Sequence, residues 1–208
     1  MTKNKIAIQG ELGAYSHIAA KDLFKDAEIK TCATFEETFK QAHEDENYKI
    51  IIPIENSLAG RVADIHYLLP KYKLQIHGEY FLNVEHNLLC KPEASIKDIK
   101  YVRSHAQAIG QCQKIINKNK FQSIVSADTA GSAKDLAEGK DKSIAAIASS
   151  LSAEIYKLKI LEKNIEDEKG NVTRFLIMGK DIEQPDFSIK KKFITSCIFR
   201  VKSEPSAL

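Results

Sequence analysis

Gly170-Asn171-Val172-Thr173-Arg174-Phe175-Leu176-Ile177-Met178-Gly179 is the stretch on which the reading of this chain turns. Residues 172–178 are mostly β-branched, aliphatic or aromatic, and a glycine punctuates each end, which is the pattern of a buried strand. Arg174 stands out within it. A guanidinium inside an apolar strand is costly unless a carboxylate or phosphate meets it, and its planar fork suits a carboxylate two bonds at a time. Thr173 adds a hydroxyl that can donate or accept, and Asn171 adds an amide. Taken alone, the strand also fits a plainer arrangement, with Arg174 at a sheet edge reaching a surface acid.

Working outward, the same kind of apolar run recurs at 5–9, 29–33, 48–52, 74–84, 86–90, 99–103, 121–125, 143–147 and 159–161. Stretches with helical spacing fall between many of these runs, and this alternation describes an α/β chain with parallel strands. The long extended stretch from 74 to 90 passes from one lobe of sheet into another, so a hinge is expected there. The run at 48–52 stops at Pro53-Ile54-Glu55-Asn56-Ser57-Leu58-Ala59-Gly60. A carboxylate, an amide and a hydroxyl thus stand together at the carboxyl end of a buried strand, where open α/β sheets bind ligands. Turn chemistry accounts for Asn56, Ser57 and Gly60 but has no need of Glu55.

Helix starts carry further polar groups. Gly10-Glu11-Leu12-Gly13 joins the first strand to a helix without the G-x-G-x-x-G spacing of a dinucleotide loop, and Ser16 is a candidate N-cap. Thr34 and Glu37 form a candidate capping box. Ser104 is expected to cap a helix running to about residue 117, with Gln107 and Gln111 on one face of it. Asp128 or Thr129 begins a later helix, and the helix near Val62 is expected to end at Pro70. Residues 164–170 read as a solvated acidic loop. Helix N-termini present unpaired N–H groups and partial positive charge. Several of them, with Glu55-Asn56-Ser57 and a strand arginine, describe a pocket for a small anion.

Composition excludes several classes. In 208 residues, 43% hydrophobic, the net charge is +3 and the lysines are scattered, so no nucleic acid is expected as a partner. Cys32, Cys90, Cys112 and Cys197 form no C-x-x-C pair, which fits free thiols in a reducing cytoplasm. No apolar segment has the length of a membrane span or the form of a signal peptide. The histidines lack ligand spacing, so no metal is expected.

Taken together, Gly10-x-x-Gly13-x-Tyr15-Ser16, Pro53-Ile54-Glu55-Asn56-Ser57-x-x-Gly60, Ser104-His105-x-Gln107-x-x-x-Gln111-Cys112 and Asn171-x-Thr173-Arg174-Phe175 resemble the prephenate dehydratase family. The resemblance covers residues 5–178. It implies two α/β lobes hinged like a type II periplasmic binding protein, with the active site in the interlobe cleft. Residues 1–180 would be the catalytic region, with lobe 1 at about 1–81 plus 154–180 and lobe 2 at about 82–153. The implied reaction is decarboxylating dehydration of prephenate to phenylpyruvate, with no cofactor. Thr173 would assist departure of the hydroxyl, Arg174 would hold a carboxylate, and Glu55 is an alternative proton donor. Asn56, Ser57, Ser104, Gln107, Gln111, Thr129, Phe175 and Ser16 would bind or orient the substrate. The family also implies a homodimer or higher homo-oligomer.

Lys190-Lys191-Lys192 closes an expected linker at 181–192. Residues 193–208 then resemble the opening of the family's regulatory ACT domain cut short, with Ser206-Ala207-Leu208 where the family has Gly-Ala-Leu. Two other readings share these residues. Arogenate dehydratase carries the same motifs, and a non-catalytic binding or sensor module can use the same two-lobed fold.

Overall fold

The computed structural model of the protein describes residues 4–180. The expected linker and ACT-like segment lie outside the described residues. The chain first lays down β1 (Lys5–Gln9), α1 (Tyr15–Leu23), β2 (Glu28–Cys32), α2 (Phe35–Glu44), β3 (Tyr48–Asn56), the two-residue β4 (Gly60–Arg61), α3 (Ala63–Tyr72) and β5 (Gln75–Asn83). It continues with β6 (Asn87–Cys90), β7 (Tyr101–His105), α4 (Ala106–Gly110), α5 (Gln113–Asn119), β8 (Gln122–Ser126) and α6 (Thr129–Glu138). Next come β9 (Ile144–Ala148), α7 (Ser150–Ile155) and β10 (Lys159–Glu162), before β11 (Val172–Gly179) returns to the start.

Two sheets result. The first has the order β2-β1-β3-β11-β5, with β4 hairpinned onto β3, and the second has the order β10-β6-β9-β7-β8. β1 runs parallel to β2 and β3, while β11 enters antiparallel between β3 and β5. In the first lobe the apolar runs of β1 and β3 are buried on both faces. Ala7, Ile50 and Ile52 meet Phe39 and Ile65 of α2 and α3 on one side, while Ile6, Ile8 and Ile51 meet Ala19 and Ala20 of α1 on the other. β11 feeds both cores, Leu176 and Met178 into the first and Phe175 and Ile177 into the second. Each such side chain contributes about 1.5–3 kcal/mol on burial.

The chain crosses between lobes at 84–86 and again at 163–171. The two crossings bond to each other: Val84 N–H donates to Asn171 O at 2.8 Å, and Ile165 N–H donates to His86 O at 2.9 Å. Paired crossovers joining two α/β lobes define a type II periplasmic-binding-protein-like fold. Across the seam, Ser149 Oγ donates to Gly13 O at 2.6 Å, and Lys134 Nζ meets Glu11 Oε1 at 3.0 Å.

The structure differs from the sequence reading at several points. Residues 154–162 belong to the second lobe, because β10 pairs antiparallel with β6 and Ala153 packs with Leu89, Ala133 and Ala146. Lobe 1 is therefore completed by β11, not by everything after residue 154. The single helix expected to about residue 117 is two, α4 and α5. The break is held by Asp167, whose carboxylate accepts from Gln113 N–H at 2.8 Å and Lys114 N–H at 3.0 Å. The loop carrying Asp167 is thus a helix cap rather than a solvated run of charge. Ser104 caps nothing; it lies in β7. α3 continues through Pro70 to Tyr72, and its last turn closes through Lys73 N–H on Leu69 O at 3.2 Å, with Lys73 at φ +50°. At α2 the Thr34 hydroxyl accepts from Glu37 N–H at 3.1 Å, as that sequence pattern predicts, while the Glu37 carboxylate takes Ala33 N–H at 2.9 Å.

Candidate functional site

A cleft of about 500 Å³ opens between the lobes. Lobe 1 supplies Ser16, Asn56, Thr173 and Phe175 to its walls, and lobe 2 supplies Gln107, Gln111 and Thr129. Strand and turn geometry explain the first group. Thr173 and Asn56 are direct cross-strand partners on β11 and β3, so their side chains share a face. That face looks into the cleft because both strands end there.

A chain of hydrogen bonds runs across this wall and has a fixed direction. Asn56 Oδ1 accepts the N–H groups of Leu58 (3.0 Å) and Ala59 (2.8 Å) in the tight turn that follows β3. Its amide nitrogen must then face the other way, and it donates to Asn171 Oδ1 at 2.6 Å and to Thr173 Oγ1 at 2.9 Å. The Thr173 oxygen is thus an acceptor toward the protein, which leaves its proton to be donated elsewhere. Asn171, turned oxygen-first to Asn56, donates its NH2 to Gln111 Oε1 at 2.9 Å. The same oxygen lies 2.9 Å from His86 Nε2, and the single proton of the Tyr15 hydroxyl has two acceptors at 2.8 Å, His86 Nδ1 and Glu85 O. Burial lowers the His86 pKa below its ordinary value and holds the Tyr15 phenol well above its own, so at neutral pH His86 is uncharged and Tyr15 carries its proton.

Several residues singled out in the sequence are not on the cleft wall. Arg174 follows Thr173 on β11 and so points from the opposite face. Its Nε donates to Glu79 on β5 at 2.7 Å and its Nη1 to Glu55 at 3.2 Å, with the ring of Phe81 6.0 Å away. Its fork is occupied by carboxylates, but they belong to the protein. Glu55 is half exposed in that pair. Ser57 ties the hinge: its hydroxyl donates to Gly170 O at 2.7 Å and accepts from Val172 N–H at 2.9 Å. Ser104 is fully buried and donates to Ile147 O at 2.7 Å. Ser16 reaches the wall but does not cap α1; its hydroxyl donates to Gln9 O at 3.3 Å, and the N-cap position is Ala14, which offers no side-chain bond. At α6 the capping group is Asp128, accepting Gly131 N–H at 2.6 Å, with Thr129 next to it on the wall.

Tyr15, His86 and Asn171 were not picked out as a site from sequence. Asn171 carried a signal as an amide at the head of the Thr173 strand. His86 carried none, because its partners come from α1, α4 and the second crossover. His105 is the N-cap of α4 and accepts Gln107 N–H at 3.3 Å. Among the described residues no cluster of His, Cys, Asp and Glu is arranged to hold a metal ion, and no helix is long and apolar enough to cross a membrane. The fold and this wall define a two-lobed cleft protein whose site offers hydroxyl, amide and helix-end donors to an oxygen-rich small molecule.

The family model for prephenate dehydratase matches residues 6–183, and the chain belongs to that family. It is 38% identical over 206 residues to a bifunctional N-acyl-homoserine lactone acylase/prephenate dehydratase of Komagataeibacter europaeus, covering 98% of this chain and 72% of that protein. It is 37% identical over 202 residues to the prephenate dehydratase of Methanocaldococcus jannaschii, covering 94% of this chain and 72% of the other. Against arogenate dehydratase/prephenate dehydratase 2 of Arabidopsis thaliana it is 36% identical, covering 98% of this chain but only 53% of the relative. The chain thus spans about half the length of the plant protein. Among solved structures, the prephenate dehydratase of Staphylococcus aureus superposes with a TM-score of 0.73 at 29% identity, over 86% of this chain and 67% of that one.

Proposed function

We propose that this chain catalyses the decarboxylating dehydration of prephenate to phenylpyruvate. The observation that carries the reading is the Asn56 amide donating to Thr173 Oγ1 in the interlobe cleft, which aims the hydroxyl's donor capacity away from the protein. Prephenate bears a carboxylate at one end of a cyclohexadiene ring and a hydroxyl at the other. As the carbon–carboxylate bond breaks, its electron pair moves through the ring and expels the hydroxyl, releasing carbon dioxide and leaving an aromatic ring. The departing oxygen takes up one proton to become water. Aromatisation drives the step, so the protein is asked to orient a dianion and stabilise negative charge growing on one oxygen. A donor aimed at that oxygen does this, and such a donor is worth roughly a hundred- to a thousandfold in rate. A threonine is too weak an acid to be the net proton source, so the hydroxyl acts as a hydrogen-bond donor or relay.

In this reading Asn56 fixes Thr173, Phe175 packs beneath the ring, and Gln107, Gln111, Thr129 and Ser16 meet the polar ends of the substrate. Arg174 acts from behind the strand, clamping β11 to β5 and β3 through Glu79 and Glu55. The reading includes a cytoplasmic homo-oligomer, with 193–208 as the opening of an ACT regulatory domain. The free, buried Cys32, Cys90 and Cys112 support the compartment, and the family resemblance supports the rest. The test is turnover of prephenate and, separately, of arogenate by the purified chain, each against a no-enzyme blank because prephenate aromatises unaided. Phenylpyruvate formed above blank from prephenate is expected. Activity on arogenate alone would reassign the substrate, and activity on neither would sink the proposal.

A further inference from the structure

Gln111 sits on the lobe 2 wall with both acceptor sites of its carbonyl oxygen used. Asn171 Nδ2 donates to Oε1 from one side, and His86 Nε2 approaches it at the same 2.9 Å from the other. The direction of this pair is not free. Backbone N–H groups pin Asn56, Asn56 pins Asn171, and Asn171 presents NH2 to Gln111, so Gln111 must present oxygen. An oxygen met by His86 Nε2 requires the proton to be on Nε2. The remaining polar group of Gln111, its NH2, has no protein acceptor among the described residues and belongs to the cleft wall.

His86 is itself held from every side. Its backbone N–H donates to Glu166 Oε2 at 3.0 Å, its carbonyl accepts Ile165 N–H, and Tyr15 stacks edge-on to its ring with centroids 5.7 Å apart. The ring therefore ties α1 of lobe 1 and Gln111 of lobe 2 to the hinge, while only 3% of the residue is exposed.

We propose that His86 is a positioning residue. Anchored by Tyr15, it locks the Gln111 amide with its NH2 toward the substrate, so that Gln111 binds a substrate oxygen outside the reacting bonds, such as the side-chain carboxylate or keto oxygen. This rests on the activity proposed above. An oxygen outside the reacting bonds keeps its charge from ground state to transition state, so its loss raises KM and spares kcat. Thr173, by contrast, acts on kcat.

The test compares His86→Ala, His86→Asn, His86→Gln, Gln111→Ala and the His86→Ala/Gln111→Ala double variant, with folding checked by melting. Gln places an amide NH2 near the position of the imidazole Nε2, whereas Asn reaches only to that of Nδ1. His86→Ala, His86→Asn and Gln111→Ala are expected to raise the KM for prephenate about ten- to a hundredfold with kcat within about threefold. His86→Gln is expected to stay near the wild-type KM, and the double variant to be no worse than Gln111→Ala alone. Collapse of kcat in His86→Gln would overturn the proposal in favour of proton transfer by the ring. A wild-type KM in His86→Ala, or additive losses in the double variant, would also overturn it. Should the wild type fail to turn over prephenate, the activity falls first, and the same ordering of variants is then read from the Kd for prephenate by calorimetry, where its absence overturns the role of His86.

Discussion

The donor role proposed for Thr173 depends on a neighbour whose turn chemistry is as visible in the sequence as its place at a strand end. Asn56 is legible as a polar group at a strand end, but its work depends on Leu58 and Ala59 taking its oxygen and so forcing its nitrogen toward Thr173. Asn56→Asp removes that donor and places a carboxylate against the threonine oxygen, so kcat is expected to fall about a hundredfold, with the protein still folded by circular dichroism. Arg174 is legible as anomalous, and of the two partners its strand allows, a ligand carboxylate or an acid of the protein, the structure shows the second. The acid that meets it at Nε, Glu79, lies 95 residues away in sequence on a strand whose register no local pattern reveals. Both partners are partly solvated, so Arg174→Met is expected to cost only about 1 kcal/mol, read as a lower urea midpoint with the deficit shrinking in high salt. Gly13, at φ +92°, faces Ser152 so closely that an added Cβ would sit 2.4 Å from its hydroxyl oxygen and 2.8 Å from its Cα. The backbone on the lobe 2 side cannot yield cheaply. Gly13→Ala is expected to destabilise by at least about 1–3 kcal/mol and to raise KM by loosening the interlobe seam, measured together by melting and steady-state kinetics.

At the scale of elements, apolar periodicity located the strands and most helices, because each of the long runs must be buried on one or both faces. It could not see where α4 stops and α5 begins. Ala106, Ile109, Cys112 and Ile116 keep helical spacing across the break, and the carboxylate that creates the break arrives from the second crossover. Asp167→Ala removes the acceptor for Gln113 and Lys114 at the start of α5. That is expected to cost about 0.5–2 kcal/mol, with faster amide exchange in α5 than in α6. A loss spread evenly over both helices would contradict the capping role.

For the whole molecule, the long extended stretch through residue 84 gave away a two-lobed plan, but not the lobe boundary. β10 is short and carries no sign of which sheet it edges, whereas its pairing with β6 settles the matter. The whole fold also carries a pH dependence. His17, whose Nδ1 accepts Gly13 N–H at 2.9 Å, and His86 are both held below the ordinary histidine pKa, chiefly by burial. The unfolded chain therefore takes up protons first on acidification. Stability is complete above about pH 6.5 and declines as pH falls from there through the lowered folded-state values. Tm is expected to drop across that interval, and His17→Gln to flatten part of the drop.

In the proposed reaction the Thr173 hydroxyl, held as an acceptor toward Asn56, donates to the leaving oxygen in the interlobe cleft. The direct measurement is kcat for prephenate in wild type, Thr173→Ser and Thr173→Val, each above the spontaneous rate. Retention within about tenfold in the serine variant and a loss of a hundredfold or more in the valine variant is the predicted result. A valine variant that keeps its kcat would rule out that role for the Thr173 hydroxyl.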